Sequence, residues 1–75
     1  MPKHKIPGQF TPRQKELLIC IAHDCSYKLA AAEMGIDYET VKSMMGTMRN
    51  EFNVHSESAL LAIAFKTGQI KPEEL

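Results

Sequence analysis

Apolar side chains recur at helical spacing along most of the 75-residue chain and divide it into four segments. The first segment begins at Thr11, whose hydroxyl can cap a helix. Pro12 suits the first helical position, and Gln14 can return a hydrogen bond to the backbone amide of the cap. We therefore predict a first helix from about Pro12 to His23. Its buried side comprises Leu17, Leu18, Ile21 and Ala22.

Two further helices are predicted next, and the turn between them is very short. Ser26 can cap a helix of about two turns over residues 27–34. Gly35 then tolerates a left-handed conformation, Ile36 can enter the core, and Asp37 can cap the following helix. A tight turn between two short helices is typical of a helix-turn-helix motif.

The third helix, predicted from about Tyr38 to Phe52, has two different sides. Asn53 tolerates the left-handed conformation that should end it. We predict that the apolar side packs in the core and that the polar side remains outside. The apolar side comprises Val41, Met44, Met45, Met48 and Phe52. The polar side comprises Glu39, Ser43, Gly46 and Asn50, flanked by Lys42, Thr47 and Arg49.

The fourth helix should begin after Ser56 and end at Thr67-Gly68. It contains seven consecutive apolar residues from Ala59 to Phe65, which is more than one core-facing side can use. We predict that its second side forms a homodimer with the same helix of another copy. The alternative is that a small bundle wraps around the helix and buries it within one chain. The predicted dimer interface comprises Ala59, Leu61, Ala62, Ile63 and Phe65.

The charges balance overall but are distributed unevenly. Nine Lys and Arg residues face nine Asp and Glu residues; residues 1–30 carry five positive and two negative charges, and residues 31–75 carry four positive and seven negative. We predict a flexible basic arm over residues 1–10 with Lys3 and Lys5, one all-α domain over 11–68, and a polar tail over 69–75. The absence of a long apolar run or signal-peptide pattern predicts a cytoplasmic chain without membrane attachment.

The two cysteines and the histidine between them do not form a convincing metal site. Cys20, His23 and Cys25 are three candidate ligands without a fourth, and their spacing differs from that of a structural zinc site. We expect Cys20 to act as a small buried hydrophobic residue and Cys25 as a turn residue. No cofactor is expected, and a chain of short helices offers no evident catalytic cleft.

The polar side of the third helix is the candidate surface for reading DNA. A helix-turn-helix places one helix in the major groove, where Lys42 can reach a guanine edge or a phosphate and Asn50 can contact adenine or the backbone. Gly46 costs about 1 kcal/mol relative to alanine inside a helix. Its missing side chain would permit close approach to the bases; the alternatives are a close contact with another helix or a tolerated accident. Glu39 and Glu51 leave this helix without net positive charge.

The chain resembles the LuxR-type, or GerE-type, helix-turn-helix domain. The resemblance is ungapped over roughly residues 10–65 and rests on Phe10-Thr11-Pro12-Arg13-Gln14, Ser26-Tyr27-Lys28-Leu29-Ala30-Ala31, Gly35-Ile36, Thr40-Val41-Lys42 and Phe52-Asn53-Val54. It implies four helices, of which the third enters the major groove and the fourth makes the dimer contact. It also implies DNA-facing positions at Thr40, Lys42, Ser43, Gly46 and Thr47, and phosphate-side positions at Ser26 and Lys28.

The resemblance leads to two functional hypotheses. The first is a small stand-alone transcription regulator that binds a two-fold related double-stranded DNA site as a homodimer. The second is an interaction module of the same fold that sequesters another LuxR-type regulator or contacts RNA polymerase. Several residues depart from the usual family pattern and bear on this choice. They are Gln14, Asp24, Tyr27, Leu29, Met44, Glu51 and Asn53.

Overall fold

The computed structural model describes residues 8–75, which form four α-helices and a short C-terminal 3-10 helix. The helices are α1 (Pro12–Ala22), α2 (Tyr27–Met34), α3 (Tyr38–Phe52) and α4 (Glu57–Lys66), followed by the 3-10 turn Pro72–Glu74. Residues 8–75 contain no β-strand, so the predicted all-α fold class is confirmed. Within the same residues, none of the helices is both long and apolar enough to span a bilayer.

Each α-helix begins at a side-chain cap, as the sequence predicts. The side-chain oxygens of Thr11, Ser26, Asp37 and Ser56 each accept a hydrogen bond from the backbone N–H three residues later. Gln14 completes the predicted capping box because its side-chain oxygen accepts from the backbone N–H of Thr11 at 2.9 Å. These bonds satisfy amides that have no partner within their own helix, so the four helix starts are determined locally.

Left-handed residues end the first three helices. Gly35 follows α2 with φ 69° and Asn53 follows α3 with φ 56°, which confirms both predicted terminators. α1 ends at Ala22, one residue earlier than predicted, with His23 as its C-terminal cap. The residue after that cap, Asp24, adopts φ 65° and turns the chain towards α2.

All four α-helices contribute residues to one core. Leu17 and Leu18 of α1 are fully buried, and the inward side of α3 is buried as predicted. Met44 and Phe52, at the two margins of that side, are partly buried and pack against the core. The completely or almost completely buried apolar residues are Phe10, Leu17, Leu18, Ala30, Ala31, Met34, Val41, Met45, Met48, Leu60, Ala64 and Ile70.

The folded domain extends beyond the predicted range of 11–68 at both its N-terminal and its C-terminal end. Phe10 is only 4% exposed, and its ring stacks on Phe52 with a centroid distance of 4.3 Å. Ile70 is 1% exposed, and the neighbouring Gln69 accepts a 2.7 Å hydrogen bond from the backbone N–H of Phe10. The assignments of Phe10 to a flexible arm and of Ile70 to a polar tail were therefore wrong. Both residues lie outside any helical apolar pattern, so periodicity could not identify them. Lys3 and Lys5 lie outside the described residues.

The apolar run of α4 is divided between the core and the surface. Leu60 and Ala64 are buried, and Leu61 and Ile63 are partly buried against the core. Ala62 is exposed, and so is Phe65 with 37% of its surface accessible. Ala59 is half-buried. Burial within one chain thus accounts for much of the run but leaves an apolar strip at Ala62 and Phe65.

Candidate nucleic-acid interface

The turn between α2 and α3 holds these two helices in a helix-turn-helix arrangement. The two alanines Ala30 and Ala31 on the inward side of α2 are buried, and their small side chains let α3 approach closely. Ile36 is partly buried against the core, as predicted. Its backbone N–H donates to the carbonyl of Ala31 at 3.0 Å, so the turn is tied to the end of α2.

The outward side of α3 forms a continuous polar surface. Its side chains lie on the opposite side of the helix from the buried Val41, Met45 and Met48. Five of the six predicted DNA-facing positions on α3 are exposed, and Gly46 is half-buried between them. The exposed positions are Thr40, Lys42, Ser43, Thr47 and Asn50.

Gly46 is not required by the packing of the bundle. A Cβ atom placed on Gly46 would meet no other side chain or neighbouring helix of residues 8–75 within 4 Å. This clearance excludes, for the described part of the chain, the alternative that the glycine permits a close contact between two helices. It leaves open space over the middle of the polar side, where a partner surface could reach the backbone of α3.

The side chain of Lys42 lies against two neighbours near the start of α3. Its Nζ is 4.0 Å from Oε1 of Glu39 and 5.5 Å from the centre of the Tyr38 ring. The ion pair is exposed and contributes little to stability. Lys42 nevertheless remains half-exposed and is kept over the N-terminal half of the polar side. The aromatic contact was missed in the sequence analysis, although Tyr38 and Lys42 have the four-residue spacing of neighbours on a helix.

Thr40 has a structural contact in addition to its predicted place on the DNA-facing side. Its hydroxyl donates to Oδ1 of Asp37 at 2.5 Å, and its backbone N–H donates to the same oxygen at 2.9 Å. The hydroxyl bond, followed by the backbone bond, lowers the pKa of Asp37 because both favour its charged form. The Thr40 hydroxyl oxygen can still accept a hydrogen bond from outside the protein.

The N-terminal ends of α2 and α3 lie side by side. The rings of Tyr27 and Tyr38, at the first position of each helix, have centroids 6.4 Å apart. Ser26 and Lys28 flank Tyr27 and are both exposed, so the predicted phosphate-side positions adjoin the Lys42 end of α3. Asn50 lies eight residues beyond Lys42, about 12 Å further along the helix axis, and is not part of this cluster.

Tyr27 also connects α2 with the start of α4. Its hydroxyl donates a short hydrogen bond to Oε2 of Glu57, the first residue of α4. Burial raises the pKa of Tyr27, and this hydrogen bond raises it further, while Arg49 acts in the opposite direction. The Tyr27 hydroxyl therefore remains protonated and donates to Glu57. Through this bond and the contact with the Tyr38 ring, Tyr27 holds the start of α2 against α4 and α3.

Residues 8–64 match the GerE family model, which describes bacterial regulatory proteins of the luxR family. The chain belongs to this family. Neither a curated protein nor a solved structure matches the chain. The family match confirms the resemblance found in the sequence and identifies the four helices as a LuxR-type helix-turn-helix fold. Domains of this family belong to DNA-binding regulators of transcription and not to enzymes.

The electrostatics of this luxR-family domain differ from those of a strongly basic DNA binder. Within α3, Lys42 and Arg49 are balanced by Glu39 and Glu51, so the helix has no net formal charge. Residues 1–30 carry five positive and two negative charges, and the exposed Lys28 at the start of α2 is one of the positive charges. Lys28 and the backbone amides at the N-terminal end of α2 therefore contribute positive potential beside the polar side of α3.

Proposed function

We propose that this luxR-family chain is a transcription regulator that inserts α3 into the major groove of DNA and places the start of α2 against the phosphate backbone. The open space over Gly46 is the observation that carries the proposal. A helix interior normally favours alanine over glycine. No neighbour within residues 8–75 would clash with a side chain at this position, so the packing of the bundle does not require a glycine there. The glycine is accounted for if a duplex lies close to α3 at this point.

Each exposed position has a role that its chemistry permits. Lys42 donates to a guanine edge or to a phosphate, and Asn50 contacts adenine or the backbone at the far end of the helix. Ser26 and Lys28 contact phosphates beside the Lys42 end, where the N-terminal amides of α2 add positive potential. The remaining DNA-facing positions are Thr40, Ser43, Gly46 and Thr47.

The proposal includes a homodimer formed through α4. Phe65 is a large apolar residue with 37% of its surface exposed, and Ala62 lies beside it one turn earlier. A second copy of α4 would cover this strip, and Ala59, Leu61 and Ile63 would form its margins. Two α3 helices related by two-fold symmetry would then enter successive major grooves about 34 Å apart. Such a regulator would act in the cytoplasm, where it meets the genome.

Selection of bound fragments from random duplex DNA tests the proposal and supplies a binding site. Fluorescence anisotropy with the selected duplex should then show affinity that falls steeply as salt is raised, because phosphate contacts release counterions. A selected site should have two related halves. Failure to enrich any sequence, together with no binding to bulk duplex at low salt, would contradict the DNA-binding role.

The second hypothesis is that the chain contacts another LuxR-type regulator or RNA polymerase without binding DNA. The specific observation in its favour is the zero net charge of α3, in which Glu39 stands beside Lys42. The same anisotropy titration separates the two functions, because an interaction module should show no salt-sensitive affinity for DNA.

Ala62→Glu and Phe65→Glu test the dimer without disturbing the core. Both variants should sediment as folded monomers in analytical ultracentrifugation, since a buried unpaired charge is costly at a dry interface. Ala32→Glu provides a matched control at an exposed position of α2 and should leave the dimer intact. Leu61 and Ile63 are unsuitable probes because both pack partly against the core. A wild-type chain that sediments as a monomer would disprove this part of the proposal.

A further inference from the structure

The C-terminal end of α1 brings the two cysteines of the chain together. The backbone N–H of Cys25 donates to the carbonyl of Cys20 at 3.2 Å, and that of Asp24 donates to the carbonyl of Ile21 at 2.9 Å. With Asp24 in the left-handed conformation, this pair of bonds defines a Schellman motif. The motif places the third residue from the helix end, Cys20, against the second residue after the cap, Cys25.

The two side chains that meet at this turn are both thiols. Cys20 and Cys25 are free and half-buried. Burial raises the pKa of Cys20, and Cys25 raises it further through a Coulomb interaction and a hydrogen bond between the two side chains. The carboxylates of Glu33 and Glu16 act in the same direction. The two thiols therefore influence each other directly across the turn.

We propose that Cys20 and Cys25 form a redox modification site, in which a two-electron oxidant of the hydrogen peroxide class closes an intrachain disulfide. The two thiols lose two protons and two electrons as the S–S bond forms. Peroxide accepts them as its O–O bond breaks, and two water molecules are released. A dithiol reductant returns both cysteines to the thiol form through a mixed disulfide.

The native turn is suited to this bridge because its backbone is already closed. A disulfide requires the two Cα atoms to lie within about 7 Å of each other. The hydrogen bond from the backbone N–H of Cys25 to the Cys20 carbonyl holds the two backbones together across the turn. The bridge would end directly before Ser26, the cap of α2, and would therefore fix the link between α1 and the helix-turn-helix.

The raised pKa of Cys20 predicts how closure depends on pH. Disulfide formation requires a thiolate, and the surroundings of Cys20 keep this thiol protonated to higher pH than usual. Attack by the Cys20 sulfur should therefore be slow below its pKa and should become faster as pH rises towards that value.

Intact mass spectrometry of the reduced full chain after peroxide treatment tests the inference. The wild-type chain should lose the mass of two hydrogen atoms, migrate as a monomer on a non-reducing denaturing gel, and return to its original mass with dithiothreitol. The chain has two cysteines, so an intrachain bridge can join only this pair. The thermal midpoint of the oxidised chain should rise by about 5–10 °C because the bridge restricts the unfolded state.

Cys20→Ser and Cys25→Ser are matched controls that each remove one sulfur atom. Both variants should remain folded, and neither should lose two hydrogen atoms as a monomer under the same treatment. If the wild-type chain gains oxygen atoms or forms disulfide-linked dimers without that mass loss, the proposed bridge is wrong. A lower thermal midpoint after oxidation would show that the bridge does not fit the native turn. These outcomes do not depend on whether the chain binds DNA.

Discussion

On the inward side of α3, Val41, Met45 and Met48 are fully buried, whereas on its outward side Lys42 and Thr47 are exposed. The inward side is filled with long apolar side chains that contact three other helices through the core. The outward side carries short polar side chains and the open position at Gly46. One helix thus holds the bundle together with its inward side and leaves its outward side accessible to a partner.

The outward side of α4 offers a different surface from that of α3. Its exposed residues include Ala62 and Phe65, which form an apolar strip between the exposed Ser58 and Lys66. The apolar strip of α4 is suited to contact with another apolar surface. The polar side of α3, where the backbone at Gly46 is accessible, is suited to a polar partner such as DNA. The two outward surfaces therefore suit two different partners at the same time.

The largest expected effect is on the inward side of α3. Met45→Ala should reduce the free energy of unfolding by about 2–5 kcal/mol, because Met45 is fully buried and its removal leaves a cavity. Ser43→Ala on the exposed side should change it by less than about 0.5 kcal/mol. Urea denaturation followed by circular dichroism measures both. Equal losses in the two variants would remove the distinction between the sides.

Lys42→Ala should have the next largest effect, and it should act on DNA binding. We expect specific binding to weaken by about 1–3 kcal/mol if Lys42 contacts a base edge, with no change in the fold. If Lys42 contacts only phosphate, the slope of affinity against salt should decrease instead. Anisotropy titrations with cognate and unrelated duplexes at several salt concentrations distinguish these results.

Glu39→Gln removes a negative charge beside Lys42, so it should change DNA binding in the opposite direction to Lys42→Ala. Because the Glu39 carboxylate lies beside the Lys42 ammonium, its neutralisation should strengthen DNA binding. Glu33→Gln removes the same charge from an exposed position on α2 and controls for the change in total charge. DNA binding should become stronger only in the Glu39 variant. An equal gain in the Glu39 and Glu33 variants would show that the ion pair between Glu39 and Lys42 has no role in DNA binding.

Gly46→Ala should change stability and DNA binding in opposite directions. The free energy of unfolding should rise by up to about 1 kcal/mol, because alanine favours the helix and the added methyl group has room. Affinity for the selected duplex should fall, because the methyl group occupies the space proposed for the closest approach. A variant that is more stable and binds equally well would mean that DNA does not approach α3 at this point.

The smallest expected effect is the pH dependence of the cap at the start of α3. The hydrogen bonds from Thr40 lower the pKa of Asp37, so the folded state favours the carboxylate more than the unfolded chain does. This contribution to stability is present above the unfolded pKa and is lost as pH falls through the lower folded pKa. Asp37→Asn, which keeps a capping oxygen, should weaken the acid sensitivity of unfolding below about pH 4.

Much of the fold could be predicted because helix boundaries depend on nearby residues. Thr11, Ser26, Asp37 and Ser56 cap their helices through amides three residues away, and Asn53 ends α3 through its own backbone conformation. The spacing of the apolar residues in α3 predicted which side of this helix faces the core. The short turn at Gly35 indicated a helix-turn-helix, and the family resemblance identified it as LuxR-type, which the family match confirms.

Contacts between distant residues, and the local contacts that depend on side-chain conformation, were not predicted. The hydrogen bond between Phe10 and Gln69 joins residues 59 positions apart, and the stacking of Phe10 on Phe52 closes the same region. The Schellman pairing of Cys20 with Cys25 is local, but it requires Asp24 in a left-handed conformation that aspartate adopts only occasionally. The DNA-facing positions and the dimer interface stay predictions.

Caps and hydrophobic periodicity act over one or two turns, so they were enough to place the four helix starts and to show which side of α3 turns inward. The assembled fold decided that Phe10 and Ile70 belong to the core and that no neighbouring helix within residues 8–75 packs over a Cβ placed on Gly46. It also decided how much of α4 remains exposed. Those properties depend on which distant surfaces meet, and the free energy of burial is set by the assembled packing and not by any single segment.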